Sequence, residues 1–378
     1  MTLTWPQVCA RRLARHGLAA PLPGGPAAVA GAACGAHAQV MSAAELSIGL
    51  RMAGGTRADV RRALWEEHSL VKTFGPRGTV HLLPTADLPL WTGALAAVPC
   101  TRGAVPEKMR MTDEQTELVV TAIAEALADA ELTADELSEA VIAATGPWAG
   151  DLVMPAFQGF WPRWRQALPL AAARGALCFG PDRGRKTTYT NPHRMLPGFT
   201  PAEPQAALSW LLRSYLYAYG PATPEHFARW LAAPTRWVEQ LFTDDLVPVR
   251  LEGTTAWLSA GDTDFPPAEP TGLRLLPYFD AYTVGCHPRE LVFPGPAATR
   301  ALNRGQAGNY PVLLIDGTVA GVWHQRRTGR RLHLTVEPLA ELTAQHLADL
   351  DAQAARIGEV LEATPELTIG PVSTGPHA

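Results

Sequence analysis

Apolar residues along the first part of the chain switch from helical to extended spacing. Intervals of three and four predict helices over residues 5–16, 27–36, 43–52 and 56–68. Thr56 and Asp59 stand at the spacing of a capping box at the start of the last of these helices. Two β-rich runs, 70–74 and 79–83, then flank a Gly-Pro-Arg-Gly turn. Helices followed by a hairpin with a basic tip predict a winged helix.

This order of helices and a hairpin occurs twice more. Two capping boxes and a helical pattern precede β-runs around an Arg-rich turn, at residues 112–115, 133–136, 163–174 and 176–191. Three further helical patterns precede another hairpin, at residues 206–219, 223–231, 235–242 and 246–259. Thr223 is the predicted N-cap of the second of these helices, with Pro224 in its first turn. The pattern predicts three tandem winged-helix modules, although three unrelated αβ fragments of one domain would show the same order.

The pattern changes after residue 272. Short β-runs (GLRLLPYFDAYTV, RELVFPG, YPVLLIDGTVAGVWHQ and RRLHLTVEP) are separated by Gly, Pro and Asp-Gly turns, which predicts a small barrel or a curled sheet. A Pro-rich stretch, 261–270, is interpreted as the linker into it, and a long helix over 339–361 closes the chain. The predicted fold is α+β, with winged-helix modules at 1–110, 111–200 and 201–262 and a β-barrel domain at 263–378.

Composition narrows the class of protein. Hydrophobic residues make up 47% of the 378 positions and charged residues 18%, which favours well-packed globular domains. There is no uninterrupted apolar run of about 18 residues, and the N-terminus carries charge where a signal peptide is apolar. We therefore expect a soluble, cytoplasmic protein without a membrane partner. No dimerisation helix or obligate protein partner is evident, so a monomer is expected.

Several chemistries are absent from the sequence. The five cysteines (Cys9, Cys34, Cys100, Cys178 and Cys286) are scattered without metal-ligand spacing, so reduced, buried thiols are expected. The sequence lacks the common signatures of nucleotide-binding proteins, serine hydrolases and zinc proteases. We expect neither a cofactor nor a metal ion.

The distribution of charge is more informative than its sum. The net charge of −4 argues weakly against nucleic acid, but arginines cluster in Gly-containing turns, and guanidinium forks suit phosphate groups. The proposed DNA-phosphate contacts are Arg77, Arg183, Arg185, Lys186, Arg326, Arg327, Arg330 and Arg331. The last four flank a predicted Thr-Gly turn and would present a compact cationic group to double-stranded DNA, the expected partner. A solvated loop is the alternative for that group.

Six blocks of sequence, in order along nearly the whole chain, resemble one family. They are RRLARHGL (11–18), GAHAQVMSAAELSIGLR (35–51), LVKTFGPRGTVHLLP (70–84), TPEHFARWL (223–231), LLPYFDAY (275–282) and PVLLIDGTVAGVW (311–323). They are similar to the winged-helix DNA glycosylases typified by AlkZ and YcaQ. The resemblance implies three winged helices braced by a β-barrel, and excision of bulky or crosslinked N7-alkylated purines. It also implies a role in DNA repair, or in self-resistance to a DNA-alkylating natural product.

The resemblance also implies the catalytic residues. The family carries a Gln-apolar-Gln or Gln-apolar-Asp triplet, which here reads His37-Ala38-Gln39. In extended backbone positions 37 and 39 project to the same side, so both side chains could hold the attacking water, whereas in a helix they would diverge. Gln39 would orient that water, and His37 would act as a neutral base or orient the water too. His81 and Asp280 are candidates for lining the same site.

Two other functions remain open at this point. A winged-helix transcription regulator would read bases with its recognition helices and would need no residues that position water. A non-catalytic resistance protein would bind and sequester an alkylating drug or its DNA adduct. The appearance of abasic sites in alkylated DNA would distinguish a glycosylase from both.

Overall fold

The structure is a computed structural model that describes residues 1–99, 106–156, 159–243 and 245–375. The helices are α1 (Trp5–Arg15), α2 (Pro26–Ala32), α3 (Met41–Gly49), α4 (Arg57–Trp65), α5 (Leu88–Ala97), α6 (Asp113–Leu127), α7 (Ala134–Thr145), α8 (Leu168–Ala173), α9 (Pro204–Tyr219), α10 (Pro224–Leu231), α11 (Thr235–Val238), α12 (Ala281–Gly285), α13 (Arg289–Val292), α14 (Pro296–Ala301) and α15 (Ala344–Leu361). The strands are β1 (Thr2–Leu3), β2 (Ala36–His37), β3 (Leu70–Phe74), β4 (Val80–Pro84), β5 (Glu131–Thr133), β6 (Leu152–Ala156), β7 (Gly159–Pro162), β8 (Cys178–Arg183), β9 (Lys186–Thr190), β10 (Leu246–Leu251), β11 (Thr254–Ser259), β12 (Leu273–Leu276), β13 (Val312–Ile315), β14 (Thr318–Thr328), β15 (Arg331–Pro338) and β16 (Thr364–Ile369).

Three helix-and-hairpin units follow one another along the chain, as the apolar pattern predicts. Helices α1 to α4 precede the hairpin β3–β4, and the Thr56–Asp59 capping box forms, with Asp59 Oδ2 accepting from Thr56 N at 2.8 Å. Helices α6 to α8 precede the hairpin β8–β9, and both predicted capping boxes form there. Helices α9 to α11 precede the hairpin β10–β11. Each unit contains at least one helix that begins with a capping box, and because a capping box joins residues three apart, the local sequence pattern can predict it.

A short strand that the sequence pattern did not predict adds a third strand to each hairpin. Strand β2 pairs with β4, β5 pairs with β9, and β1 joins β10 in parallel. A fourth hairpin, β6–β7, was also missed; it leaves the side chains of Leu152, Phe160 and Trp161 exposed. A two- or three-residue strand carries too little alternation to be recognised before its partner is known.

The C-terminal part contains a curled five-stranded sheet in the order β12-β13-β14-β15-β16, with α15 packed beside it. Within the described residues its outer strands, β12 and β16, do not pair, so the sheet is a half-barrel, and of the two predicted forms the curled sheet is the one confirmed. Two of the predicted β-runs contain short helices, α12 and α13. The Asp280 side chain accepts from Tyr282 N and starts α12, which ends the extended run there.

One apolar core joins elements that lie far apart in sequence. It contains Trp91 of α5, Tyr215 of α9, Trp230 of α10 and Tyr282 of α12, all with less than 5% of their surface exposed. The predicted linker at 261–270 is anchored to this assembly, because the Asp262 carboxylate pairs with both Arg11 and Arg15 of α1. Cys9, Cys34, Cys178 and Cys286 are free and buried, as expected, while Cys100 lies outside the described residues.

Candidate active site

A cleft of about 570 Å³ lies where the first unit, helix α10 and the segment 279–309 meet. Its walls are formed by His37, Gln39, Arg77, Thr79, Arg229, Trp230, Phe279, Val284, His287, Arg289, Gly305, Gln306, Ala307 and Asn309. Its volume is typical of a pocket that receives a small-molecule-sized group. None of the described lining residues is an Asp or a Glu, so the cleft has cationic and neutral polar groups without a carboxylate.

The triplet at 37–39 is extended, as the water-positioning hypothesis requires. His37 pairs with His81 across the β2–β4 ladder, and Ala38 N donates to Val80 O at 2.8 Å. Helix α3 begins only at Met41. Ala38 is buried and points away, while the side chains of His37 and Gln39 both line the cleft.

His37 is held by Arg77. Arg77 Nη2 lies 3.0 Å from His37 Nε2. Because a guanidinium can only donate, Nε2 must be the acceptor nitrogen, and a neutral His37 therefore carries its proton on Nδ1. His37 Nδ1 makes no hydrogen bond with any described residue, and the side chain, 8% exposed, borders the cleft.

The electrostatic surroundings keep His37 neutral. Burial, then His81 and then Arg77 lower the pKa of His37 well below its ordinary value. His37 is therefore not expected to titrate near the ordinary histidine value of about 6.5 in the free protein. This arrangement favours the water-orienting role of His37 over the base role, since the Nε2 lone pair that would accept a proton is occupied by Arg77. His37 Nδ1–H can instead donate a hydrogen bond into the cleft.

The ring of His81 packs against the ring of His37. Its Nδ1 donates to Thr79 O at 2.8 Å, and its ring centroid lies 4.1 Å from that of His37. Burial, followed by Arg77, lowers the pKa of His81 to about 3. His81 therefore stays neutral and adds no positive charge beside His37. His81 is 1% exposed and does not line the cleft, which corrects the expectation that it would.

Gln39 is the freer member of the pair. Its Oε1 accepts from Val80 N at 3.4 Å, a long hydrogen bond that orients the amide without using its second lone pair. Its amide nitrogen makes no hydrogen bond with any residue in the described part of the chain, and the side chain is exposed. The carboxamide can therefore accept from a water through Oε1 while its nitrogen donates to another group.

Three comparisons identify relatives of this architecture. The family model of AlkZ-like DNA glycosylases matches residues 30–360. An interstrand DNA cross-link repair glycosylase from Streptomyces sahachiroi is 35% identical over 343 residues, which are 85% of this chain and 88% of that protein. The solved structure of the Streptomyces sahachiroi DNA glycosylase AlkZ is similar at a TM-score of 0.81 and 29% identity, with 98% of this chain and 100% of that chain covered.

This chain belongs to the AlkZ-like DNA glycosylase family. The resemblance found in the sequence is confirmed, and so is the reaction class, hydrolysis of N-glycosyl bonds. The described residues contain no helix with the length and apolar composition that crossing a bilayer requires. They also contain no group of three or more His, Cys, Asp or Glu side chains placed to hold a metal ion.

Asp280 of this glycosylase lies behind the wall of the cleft and not in it, which corrects the expectation that it would line the site. Its carboxylate accepts from Arg51 Nη2 at 2.8 Å, Arg51 Nη1 at 2.9 Å and Ser47 Oγ at 2.7 Å. Burial acts to raise its pKa, but Arg51 and these hydrogen bonds outweigh burial, so the pKa lies below its ordinary value. The Arg51–Asp280 pair ties α3, directly after the triplet, to the segment that carries Phe279 and His287.

The cations of the second hairpin are largely neutralised within the protein. Arg183 pairs with Glu136 at 3.2 Å and with Glu131 at 3.6 Å. Lys186 pairs with Asp135 at 2.9 Å, whereas Arg185 is exposed and forms no ion pair with a described residue. Two of the three predicted phosphate contacts in this hairpin already have carboxylate partners.

The four arginines of the β14–β15 hairpin differ in whether they have partners within the protein. Arg327 Nη1 donates to Leu361 O at 2.9 Å and so binds the C-terminus of α15, and Arg331 pairs with Glu366 at 3.2 Å. Arg326 and Arg330 are exposed and form no ion pair with any residue the structure describes. These two remain available to an external phosphate.

Sequence reasoning missed most of the cleft walls. Arg229 and Trp230 lie inside the TPEHFARWL block that carried part of the resemblance, but nothing marked them as lining residues. His287 and Arg289 had no signal at all, because they reach the cleft only through tertiary contacts. One of these is from Arg12 of α1, whose Nη2 donates to His287 O at 2.7 Å.

Proposed function

We propose that this glycosylase excises bulky N7-alkylated purines from double-stranded DNA, including purines joined in interstrand crosslinks. It would act in DNA repair or in self-resistance to an alkylating natural product. The observation that carries the proposal is the extended His37-Ala38-Gln39 triplet, which presents two neutral water-binding groups to a cleft whose described lining residues include no carboxylic acid. The relative named for interstrand DNA cross-link repair supports the crosslink as a substrate.

The lack of an acid suits a leaving base that is already charged. An N7-alkylguanine carries a positive charge, so when the C1′–N9 bond breaks its electron pair neutralises the base, and no proton is needed. His37 could not supply that proton in any case, since its pKa is depressed. A neutral base would leave as an anion and would require an acid, which is not among the described residues of the cleft wall.

The triplet then positions the attacking water. His37 Nδ1–H would donate to the water oxygen, and Gln39 Oε1 would accept from one of its hydrogens, which leaves a lone pair directed at C1′. The water oxygen bonds to the oxocarbenium carbon, and its proton passes to solvent. Holding the nucleophile in this way contributes through orientation and not through proton transfer.

We further propose that the three helix-and-hairpin units are winged-helix modules, with boundaries at 1–110, 111–200 and 201–262, joined to the C-terminal half-barrel domain at 263–378. In this proposal the protein acts as a monomer. The basic tips of β8–β9 and β14–β15 would contact phosphates, mainly through Arg185, Arg326 and Arg330, since their neighbours are paired internally.

The test of the proposed function is excision from a synthetic duplex with one N7-alkylguanine. We expect stoichiometric abasic sites from that duplex and none from a uracil-containing control, in which the leaving base is neutral. Binding without abasic sites would contradict the proposal and would favour a sequestering protein. Equal excision of uracil would contradict the argument from the missing acid.

The pH dependence tests the assigned role of His37. Because its folded pKa lies well below 6.5, His37 stays neutral from pH 5.5 to 8.5, and single-turnover excision by the wild type should be flat over that range. His37→Gln should keep most of the activity, since an amide N–H can donate in place of Nδ1–H. His37→Ala should lose about tenfold, the equivalent of one hydrogen bond of about 1.4 kcal/mol. An acid limb near pH 6.5 that disappears in His37→Gln would restore the base role.

The salt dependence of binding tests the β14–β15 hairpin. The double variant Arg326→Ala, Arg330→Ala should bind DNA of any sequence more weakly. The slope of log K against log salt should become shallower by about 1.8, at about 0.9 for each phosphate that is no longer neutralised. The matched control is Arg174→Ala, because Arg174 is equally an exposed arginine but is paired with Glu117. An unchanged slope in the double variant would mean that the hairpin does not meet DNA.

A further inference from the structure

We propose that Arg229 and Arg289, together with Arg77, form a binding site for one DNA phosphodiester inside the cleft. The cleft would thus receive the sugar-phosphate backbone next to the lesion and not the alkylated base itself. This inference rests on the proposed function, because it assigns a ligand group to the same site. It starts from the observation that three guanidinium groups line one cleft without a carboxylate among the described lining residues.

The partners of these guanidinium groups are all uncharged. Arg77 donates to Trp230 O and to His37 Nε2. Arg289 donates to Thr283 O, to Val284 O at 3.1 Å and towards His287 Nε2 at 3.4 Å. Arg229 is exposed at the rim and makes no ion pair with a described residue.

An arginine elsewhere in the protein has a carboxylate partner instead. Arg51, with 1% of its side chain exposed, forms a bidentate pair with the Asp280 carboxylate. Arg77 and Arg289 have hydrogen-bond partners that orient them but form no ion pair with a described carboxylate. Glu225, one helical turn away, interacts electrostatically with Arg229 at the rim. Burial lowers the pKa of Arg289 to about 10, with Arg229 and Arg77 as smaller contributors in the same direction. An anion between these groups would relieve that repulsion.

A phosphodiester fits this site better than other groups of the substrate. Guanidinium forks bind phosphate oxygens with matched geometry, and each phosphodiester carries one negative charge. Phe279 offers apolar surface to the adjoining deoxyribose, while Gln306 adds a neutral polar group. A cationic N7-alkylguanine would be repelled by the same three arginines, so the base is excluded on charge.

The phosphate site is coupled to the water site through Arg77. Arg77 contacts His37 Nε2 at 3.0 Å, so a phosphate held by Arg77 lies one side chain away from the triplet. Without that phosphate, three cations would oppose the positive charge that develops on the sugar. With it, the field at the sugar becomes less positive, so phosphate binding should promote bond cleavage as well as affinity.

The experiment replaces single phosphates by neutral methylphosphonates. A set of duplexes carries one N7-alkylguanine and one methylphosphonate at each position flanking the lesion in turn. For the wild type we expect one position at which excision falls at least tenfold, while other positions change little. Arg229→Gln should reduce the rate on the unmodified backbone and lose most of the discrimination at that position. Arg229→Lys, which keeps the charge, should retain much of it.

Arg229 is the residue to vary because its side chain is exposed and forms no hydrogen bond or ion pair with a described residue, so the variant should fold normally. The matched control is Arg213→Gln, an exposed arginine that faces Asp245 at 3.6 Å and does not line the cleft; it should discriminate like the wild type. If no methylphosphonate position affects the wild type, or if Arg229→Gln discriminates as strongly as the wild type, the phosphate site is wrong.

Binding separates this inference from the proposed function. Equilibrium affinity for the same duplexes is measured by fluorescence anisotropy with Gln39→Ala, which should bind without turnover. A position-specific loss of affinity that depends on Arg229, combined with a wild type that yields no abasic sites from the unmodified duplex, would keep the phosphate site and reject the glycosylase substrate. Excision by the wild type without any position-specific loss of rate or affinity would reject the phosphate site and keep the glycosylase substrate.

Discussion

Replacement of Gln39 by alanine is expected to lower single-turnover excision of N7-alkylguanine by about 10²-fold or more, while DNA affinity stays close to that of the wild type. Gln39 is exposed to the cleft, and its only hydrogen bond with a described residue is the 3.4 Å contact from Val80 N, so its removal should not disturb the fold. The loss comes from a water that is no longer oriented against C1′. Rates are measured with enzyme in excess over the duplex, and affinity by anisotropy.

The matched control for this change is Gln205→Ala, which removes an exposed glutamine from α9 outside the cleft and should leave the rate unchanged. Wild-type excision by Gln39→Ala would remove Gln39 from the mechanism. A parallel loss of rate and affinity would instead assign Gln39 to DNA binding, since uniform binding affects both states of the substrate equally.

Replacement of Asp280 by alanine is expected to lower the free energy of unfolding by about 3–5 kcal/mol, because it leaves Arg51 buried without a counter-charge. The two side chains are 0% and 1% exposed and share two hydrogen bonds of 2.8 and 2.9 Å. Removing the carboxylate also leaves Ser47 Oγ and Tyr282 N without an acceptor. Chemical denaturation monitored by circular dichroism measures the effect.

The matched control is Glu117→Ala, which breaks a bidentate pair of similar length with Arg174 in which both side chains are exposed. Solvent screening should limit that loss to less than about 1 kcal/mol. If both variants lose the same amount, burial is not what makes the Arg51–Asp280 pair important.

The same pair predicts a direction for acid unfolding. The folded pKa of Asp280 lies below its ordinary value, so its contribution to stability is complete above about pH 4. That contribution is lost as the pH falls through the lower, folded pKa. Asp280→Ala should therefore lose its stability difference from the wild type at strongly acidic pH and not near neutrality.

The sequence alone determined the features that depend on residues a few positions apart. The three capping boxes at Thr56, Thr112 and Thr133 form as predicted, because each is a hydrogen-bond exchange between residues three apart. The hairpins β3–β4, β8–β9 and β10–β11 form where turn residues interrupt β-rich runs. The resemblance carried by the six sequence blocks was sufficient to identify the family.

Tertiary contacts determined the secondary structure of segments that the local sequence pattern assigned wrongly. The run at 289–295 reads as a strand by composition, but it begins with helix α13 beside the cleft. Short apolar runs fit a helix or a strand equally well, and the choice depends on what they pack against. Helix α12 is likewise started by Asp280, whose partner Arg51 lies 229 positions away in the chain.

Tertiary structure also decided which charges can act on a substrate. Arg77, predicted as a phosphate contact, turns into the cleft towards Trp230 and His37, while Arg183 and Lys186 are paired with acidic residues. The sequence places the cations along the chain, but it does not contain the distances between them and their counter-charges. Burial and pairing set the charge that each group presents and the protonation state of His37, and both depend on side chains brought together only by folding.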